Sequence, residues 1–237
     1  MADILDSLIE TAKTAYGARL KSMILYGSKA SGEDTKKHSD HNVLIILDTV
    51  MFDDMKALCP VMKQWMKAGN RPPLLFTEEY FKNSADVFPI EFIDMKEKHR
   101  ILYGSDGALK DLVIERTHLR HECEFELKSK LLKLRQGYMM SLGKPERVRE
   151  LLLGSVSSIL VLFRHVLQLL GTTPPADRLE ALSALSVATG IQASPYTTVI
   201  AMKNGDKQAL KQDPEPLMRE YLSGLEKIVE KVDTLNV

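Results

Sequence analysis

Residues 26–47 read YGSKASGEDTKKHSDHNVLIIL. A short apolar run ends in Gly27-Ser28, a polar loop follows, and Ser39-Asp40-His41-Asn42 leads into a second apolar run. Side chains two apart in a strand point to the same side. Asp40 and Asn42 are therefore expected to share a face at the head of the second run, with His41 and Val43 opposite. Glycine permits a tight turn and close backbone approach, and amides exposed in such a turn can hold phosphate oxygens. Ser28 adds a hydroxyl donor and Lys29 a cation. Carboxylates beside a phosphate-holding turn would bind Mg²⁺ through oxygen, and the metal would bridge to a triphosphate. A Gly-Ser turn or a strand-leading Asp is commonplace by itself, so the weight rests on the order of the parts.

The elements that must position these residues come from periodicity. Residues 4–20 carry Ile4, Leu5, Leu8, Ile9, Ala12 and Ala15 at helical spacing. SMILY and NVLIIL read as short buried strands bounded by turn-forming residues. FDDMKALCPVMKQWMKAG reads as a helix stopped by Gly69-Asn70 and the Pro72-Pro73 pair. PLLF is a strand, and TEEYFKNS is a short helix with Thr77 as its N-cap. VFPIEFID reads as a further strand, with Pro89 marking an edge or a bulge. From Leu112 onward no strand is predicted. Two long helices flank Gly143-Lys144-Pro145, the second apolar nearly all round and so central to a bundle. Three shorter helices follow. The expected fold class is α+β: a mixed sheet with helices over residues 1–108, then an all-α helical bundle over residues 109–237.

Bulk properties narrow the function. The 237 residues are 44% hydrophobic and 27% charged, the proportions of an ordinary globular chain. Thirty-two basic residues balance 32 acidic ones, which gives no electrostatic case for nucleic acid or anionic membrane. Cys59 and Cys123 lie far apart without a CxxC motif and are expected to stay reduced, in the cytoplasm. MADILDSLIE has no basic-then-apolar leader pattern. The longest apolar stretch, LLLGSVSSILVLF over residues 151–163, is shorter than the ~20 residues a bilayer span needs.

YGSKASGE followed by SDHNVLII resembles the signature of the nucleotidyltransferase superfamily, the DNA polymerase beta-like fold. The matching positions are Gly27, Ser28, Ala30, Gly32, Ser39 and Asp40. In that family a third acid lies on a later strand; in VFPIEFIDMKEKHRILYGSD, Glu91 fits that position best, with Asp94 the alternative on the other face. The helical half, with LKLRQGY and SSILVLFRHVLQLLG, is similar to the C-terminal bundle of two-domain members such as kanamycin nucleotidyltransferase. The resemblance implies Mg-dependent transfer of a nucleoside monophosphate from a nucleoside triphosphate to a small-molecule hydroxyl, releasing pyrophosphate. It implies Asp40, Asn42 and Glu91 as ligands of Mg²⁺ (or Mn²⁺), Asp40 and Glu91 as catalytic carboxylates, and Gly27, Ser28, Lys29 and Asn42 at the nucleotide, ATP by expectation. The partners are then a nucleoside triphosphate and a small-molecule acceptor, not nucleic acid or membrane, with homodimerisation left open.

The sequence departs from the pattern where Asn42 replaces the family's second acid. Asn offers a neutral carbonyl oxygen, supplies no charge and cannot act as a base. This opens a second reading, a catalytically degenerate nucleotide-binding, regulatory or partner-binding module on the same fold. Elsewhere, His118 and Glu122 share a helix face at i, i+4 and are read as a solvated, ion-paired surface rather than a metal site. Lys128 and Arg135 could reach a triphosphate or pair with neighbouring acids. His38 is read as a solvent histidine, Trp65 as core, His165 as a core or interface residue, and neither cysteine as a nucleophile. Asp40→Ala is expected to abolish metal-dependent nucleotide binding. Calorimetric titration with ATP, with and without Mg²⁺, checks it, and unchanged binding would remove Asp40 from the site.

Overall fold

The runs LKSMILY and NVLIIL are too short and too continuously apolar for surface helices, and their residues suit a pleated sheet buried on both faces. In the computed structural model, which describes residues 4–30 and 40–236, they form β1 (Leu20–Tyr26) and β2 (Asn42–Leu47). Helix α1 (Ile4–Tyr16) and a 3₁₀ turn precede β1. After β2 come α2 (Phe52–Lys67), β3 (Leu74–Thr77), α3 (Glu78–Asn83), α4 (Pro89–Glu97), β4 (His99–Gly104) and α5 (Gly107–Lys110). The sheet order is β3-β2-β1-β4. Strand β1 runs antiparallel to β2 and β4, and β2 runs parallel to β3 across the α2 connection. Thr77 caps α3 as expected, its hydroxyl accepting from the Tyr80 N–H at 3.1 Å.

The two faces of the sheet hold separate cores. Met23, Leu25, Val43, Ile45 and Leu47 pack with Leu5, Leu8 and Tyr16 of α1 and Leu58, Val61 and Trp65 of α2. Ile24, Leu44 and Ile46 pack with Phe81, Phe92, Met95 and Leu109. Burial on both sides is why neither strand shows a polar alternation.

VFPIEFID is not a strand. Residues from Pro89 onward form α4, with Pro89 at the first helical position, where its missing N–H costs nothing. Ile90, Phe92, Ile93 and Met95 are buried, and the Phe92 ring lies 4.4 Å from that of Phe81. The strand of this region is HRILYG, whose side chains are mostly exposed or half-buried, so no apolar pattern marks it. Its final residue must be glycine. Gly104 has φ +71°, and a Cβ there would run into the backbone carbonyl of Lys21.

The chain divides into two compact units, Met1–Glu115 and Arg116–Val237. The second holds α6 (Arg116–Ser141), α7 (Pro145–Leu169), α8 (Arg178–Thr189), α9 (Ser194–Lys203) and α10 (Pro214–Asp233), and no strand among its described residues. Asp177 and Asp213 cap α8 and α10, and Gly190 ends α8 in the left-handed conformation. Helix α7 packs against α6, α8, α9 and α10. By length and composition it would pass for a membrane span, well beyond the 13-residue stretch read from sequence; Val156, Ile159, Phe163 and Val166 on it are core residues. The rings of Phe163 and Tyr196 meet edge to face and those of Tyr196 and Tyr221 pack at a tilt, with the Tyr196 hydroxyl donating to the Tyr221 carbonyl at 2.9 Å.

One polar anchor ties the start of α2 to the end of α1. The buried Asp54 carboxylate accepts from Nη2 and Nη1 of Arg19, at 2.6 and 3.1 Å, and from the Met51 N–H at 2.8 Å. Its backbone carbonyl accepts from the Tyr16 hydroxyl at 2.8 Å. The Arg19 hydrogen bond, chiefly, holds the Asp54 carboxyl below its ordinary range. Asp54→Ala is expected to cost about 1–3 kcal/mol. Because the native acid is depressed, its contribution is complete above the unfolded value of about 3.9 and is lost as pH falls through the folded value. Urea unfolding across pH checks this: the variant should show a shallower acid limb.

Candidate functional site

Register brings three strand ends together. Tyr26, last in β1, pairs with Asn42, first in β2, and with His99, first in β4. Gly27 then turns the chain with φ +82°. Its N–H donates to the Lys98 carbonyl and its own carbonyl accepts from the Ala30 N–H, both at 2.9 Å. The Gly27 amide is therefore committed within the protein. Ser28 is exposed on the turn, and Lys29 is half-buried with Nζ 3.4 Å from His41 Nδ1.

Strand β2 begins at Asn42, so Asp40 lies two residues ahead of the ladder and the alternation rule does not reach it. The Asn42 amide nitrogen sits beside Gly27, 3.4 Å from where a Cβ would stand. Asp40 Oδ1 sits beside Gly69, 3.8 Å from the corresponding point. The two side chains thus border the turn after β1 and the turn after α2.

The link between these turns is Asn70, which the sequence reading used only as a helix stop. Its Oδ1 accepts from the His41 N–H at 2.8 Å, fixing the backbone between Asp40 and Asn42. Its own N–H donates to the Trp65 carbonyl at 3.2 Å, and the Trp65 indole donates to the Arg71 carbonyl at 2.6 Å. Asn70 is 5% exposed, and its buried Nδ2 has no hydrogen-bond partner among the described residues. His41 Nδ1 stands 3.3 Å from Asn70 Oδ1 as well as near Lys29. A single ring nitrogen either donates to Asn70 or accepts from Lys29, so the backbone bond is the constant part of this latch.

Glu91 is exposed in the first turn of α4 rather than on a strand. Helix α4 itself packs on one face of the sheet. Phe92 and Met95 seat α4 on the face formed by Ile24, Leu44 and Ile46, with Tyr26 packed against it, and Asn42 shares that face by alternation. On a helix, Asp94 lies near Glu91 at i, i+3 instead of opposite it. Burial, first, raises the pKa of Tyr26; Arg71 opposes that shift and Glu91 adds to it. Arg71 and Glu91 are therefore both within electrostatic reach of the Tyr26 hydroxyl. Tyr26 and Arg71 were not singled out from sequence. Tyr26 adjoins Gly27 and was within view, whereas nothing local marks Arg71.

Asp40, Asn42 and Glu91 are hard oxygen donors, the kind that suits Mg²⁺ or Mn²⁺. Among the described residues, however, no group of three or more His, Cys, Asp or Glu side chains is placed to hold a metal ion. Asp40 and Glu91 carry one carboxylate each, and Asn42 carries a neutral amide oxygen. His38, Ser39 and Gly32 lie outside the described residues. In the helical unit, Lys128 bonds to Glu124 and Asp233 at 2.6 and 2.8 Å, and Arg135 to Glu226 at 2.9 Å. Cys123 and His165 are fully buried, and burial pushes the Cys123 thiol far up, away from nucleophilic use.

Asn70→Ala is expected to free the His41 amide at a cost of about 1 kcal/mol, equivalent to about fivefold faster hydrogen exchange. Exchange measured over residues 40–43 checks it, with the β1 amides as internal reference.

No protein-family model matches the chain, and no curated protein matches it significantly. Its structure is similar to that of the spectinomycin adenyltransferase AAD(9) from Enterococcus faecialis, solved with ATP and spectinomycin. The TM-score is 0.58 over 94% of this chain and 98% of that one, at 11% sequence identity. At that identity the likeness speaks for architecture alone, and the architecture it gives this chain is the α+β nucleotidyltransferase fold.

Proposed function

We propose that this protein binds a Mg-nucleoside triphosphate, ATP in the first instance, and transfers its nucleoside monophosphate to a hydroxyl of a small molecule. The observation that carries this is the pairing of Tyr26 with Asn42, which sets the Gly27-Ser28 turn directly beside the Asp40–Asn42 entry to β2. The fold likeness to an adenyltransferase supports it, as does the neutral overall charge, which favours a small acceptor over nucleic acid.

In this reading Ser28 and Lys29 meet the phosphates and Gly27 gives the turn its shape. Asp40 and Glu91 would hold the divalent cation, Mg²⁺ or Mn²⁺, with Asn42 as a neutral third ligand; when bound, the cation offsets the charge of the triphosphate. The acceptor oxygen bonds to the α-phosphorus, the bond from that phosphorus to the α–β bridging oxygen breaks, and pyrophosphate leaves with the electron pair. The hydroxyl proton passes to Glu91, the carboxylate we assign as base. Two free thiols accord with a cytoplasmic setting.

A second reading has its own observation. Asn42 and the lack of a three-acid group among the described residues favour a nucleotide-binding module that no longer turns over. Titration of ATP with and without Mg²⁺, followed by a pyrophosphate assay, separates the two. Metal-dependent binding with pyrophosphate release establishes the enzyme. Binding without release, with slow release restored by Asn42→Asp, establishes the module. Absence of binding in both proteins overturns the site.

A further inference from the structure

Helix α2 has apolar surface that its own fold does not cover. Phe52, Met55, Cys59, Met62 and Met66 follow one another at intervals of three, four, three and four residues. At 100° per residue they fall within an arc of about 80°. The adjoining side of α2, with Leu58, Val61 and Trp65, fills the core. The arc itself stays open: Phe52, Met55 and Met66 are 77%, 50% and 54% exposed, Cys59 is exposed, and only Met62 is half-buried. Lys56, Lys63 and Lys67 form an exposed row along one edge of the arc, and among the described residues none of the three is ion-paired.

Alternating intervals of three and four are the spacing of a seam that receives another helix knobs-into-holes. Methionine suits such a surface, since its unbranched chain adapts to the opposing side chains. The lysine row supplies the sign of the partner. We infer that α2 docks an amphipathic helix of another protein, one whose apolar seam is bordered by Glu or Asp. A second copy of this chain fits poorly: antiparallel pairing sets the lysine row against itself, and parallel pairing turns it toward Leu58 and Trp65, already buried. This inference is independent of the nucleotide site.

The test uses the whole protein and two synthetic helices of about three heptads, each with Leu at the seam, one bordered by Glu and the other by Lys. Binding is read by fluorescence anisotropy of labelled peptide and by protection of Cys59 from iodoacetamide, with buried Cys123 as reference. The Glu-bordered helix should bind at least about tenfold more tightly, less so at high salt, and protect Cys59. Met55→Glu combined with Met66→Glu should abolish binding while leaving the circular dichroism spectrum unchanged. Lys56→Glu with Lys63→Glu should reverse the preference. Equal binding of the two peptides overturns the proposal. So does Cys59 protection that grows with protein concentration alone, which would mark a second copy, or that arises with anionic phosphatidylglycerol vesicles and not with the Glu-bordered peptide, which would mark a lipid surface.

Discussion

Every residue of β2 from 43 to 47 is buried, alternately against the α1–α2 layer and against the layer of α3, α4 and α5. A slip of one residue against β1 would exchange the two sets of side chains, and each core is shaped for its own set. Register is thereby held from both faces at once. Tyr26 opposite Asn42 follows from it, and so does the nearness of the Gly27 turn to the Asn42 amide. The site inherits its geometry from the packing of Ile24, Leu44 and Ile46 on one face and Met23, Leu25 and Ile45 on the other. Few of those side chains have any chemistry of their own.

Polar groups finish what the sheet begins. Asp40 and His41 lie ahead of the ladder, where no strand pairing fixes them, and a single side chain, Asn70, takes the His41 amide. That asparagine is buried, and its Nδ2 has no partner among the described residues. Trp65 holds the same turn from beneath through its carbonyl and its indole. Helix α2 therefore acts on both of its sides: its inner face builds the core and its C-terminal turn positions the entry to β2.

The helical unit is stabilised differently. Its centre is aromatic, with Tyr196 and Tyr221 each finding a hydrogen bond inside the core, to the Tyr221 carbonyl and to Ser155 respectively. Its surface is laced with ion pairs between α6 and α10. Lys128 and Arg135 are satisfied by Asp233 and Glu226, so the charges that sequence offered for a triphosphate are spoken for by neighbouring carboxylates. Exposed pairs of this kind contribute little to stability and chiefly set which charge faces which.

The sequence by itself determined the two apolar strands around the Gly-Ser turn, α2 and its stop, the Thr77 cap and all five helices of the second unit, because each depends on local periodicity or capping. It also made Asn42 legible as a departure from the pattern that the resemblance implies, since residue type needs no coordinates. It could not place Glu91. VFPIEFID has the apolar run of a short strand, and packing of Phe92 on Phe81 favours a helix, while HRILYG pairs as a strand without an apolar pattern because the opposite strand supplies its hydrogen bonds. Asn70 and Arg71 read as the end of a helix. Their approach to His41 and Tyr26 depends on a contact some thirty to forty-five residues distant along the chain, and hydrogen bonds between such segments leave no trace in local sequence. Whether Asp40 shares a face with Asn42 was likewise a tertiary matter: the strand starts where pairing with Tyr26 starts, and only the folded sheet fixes that residue.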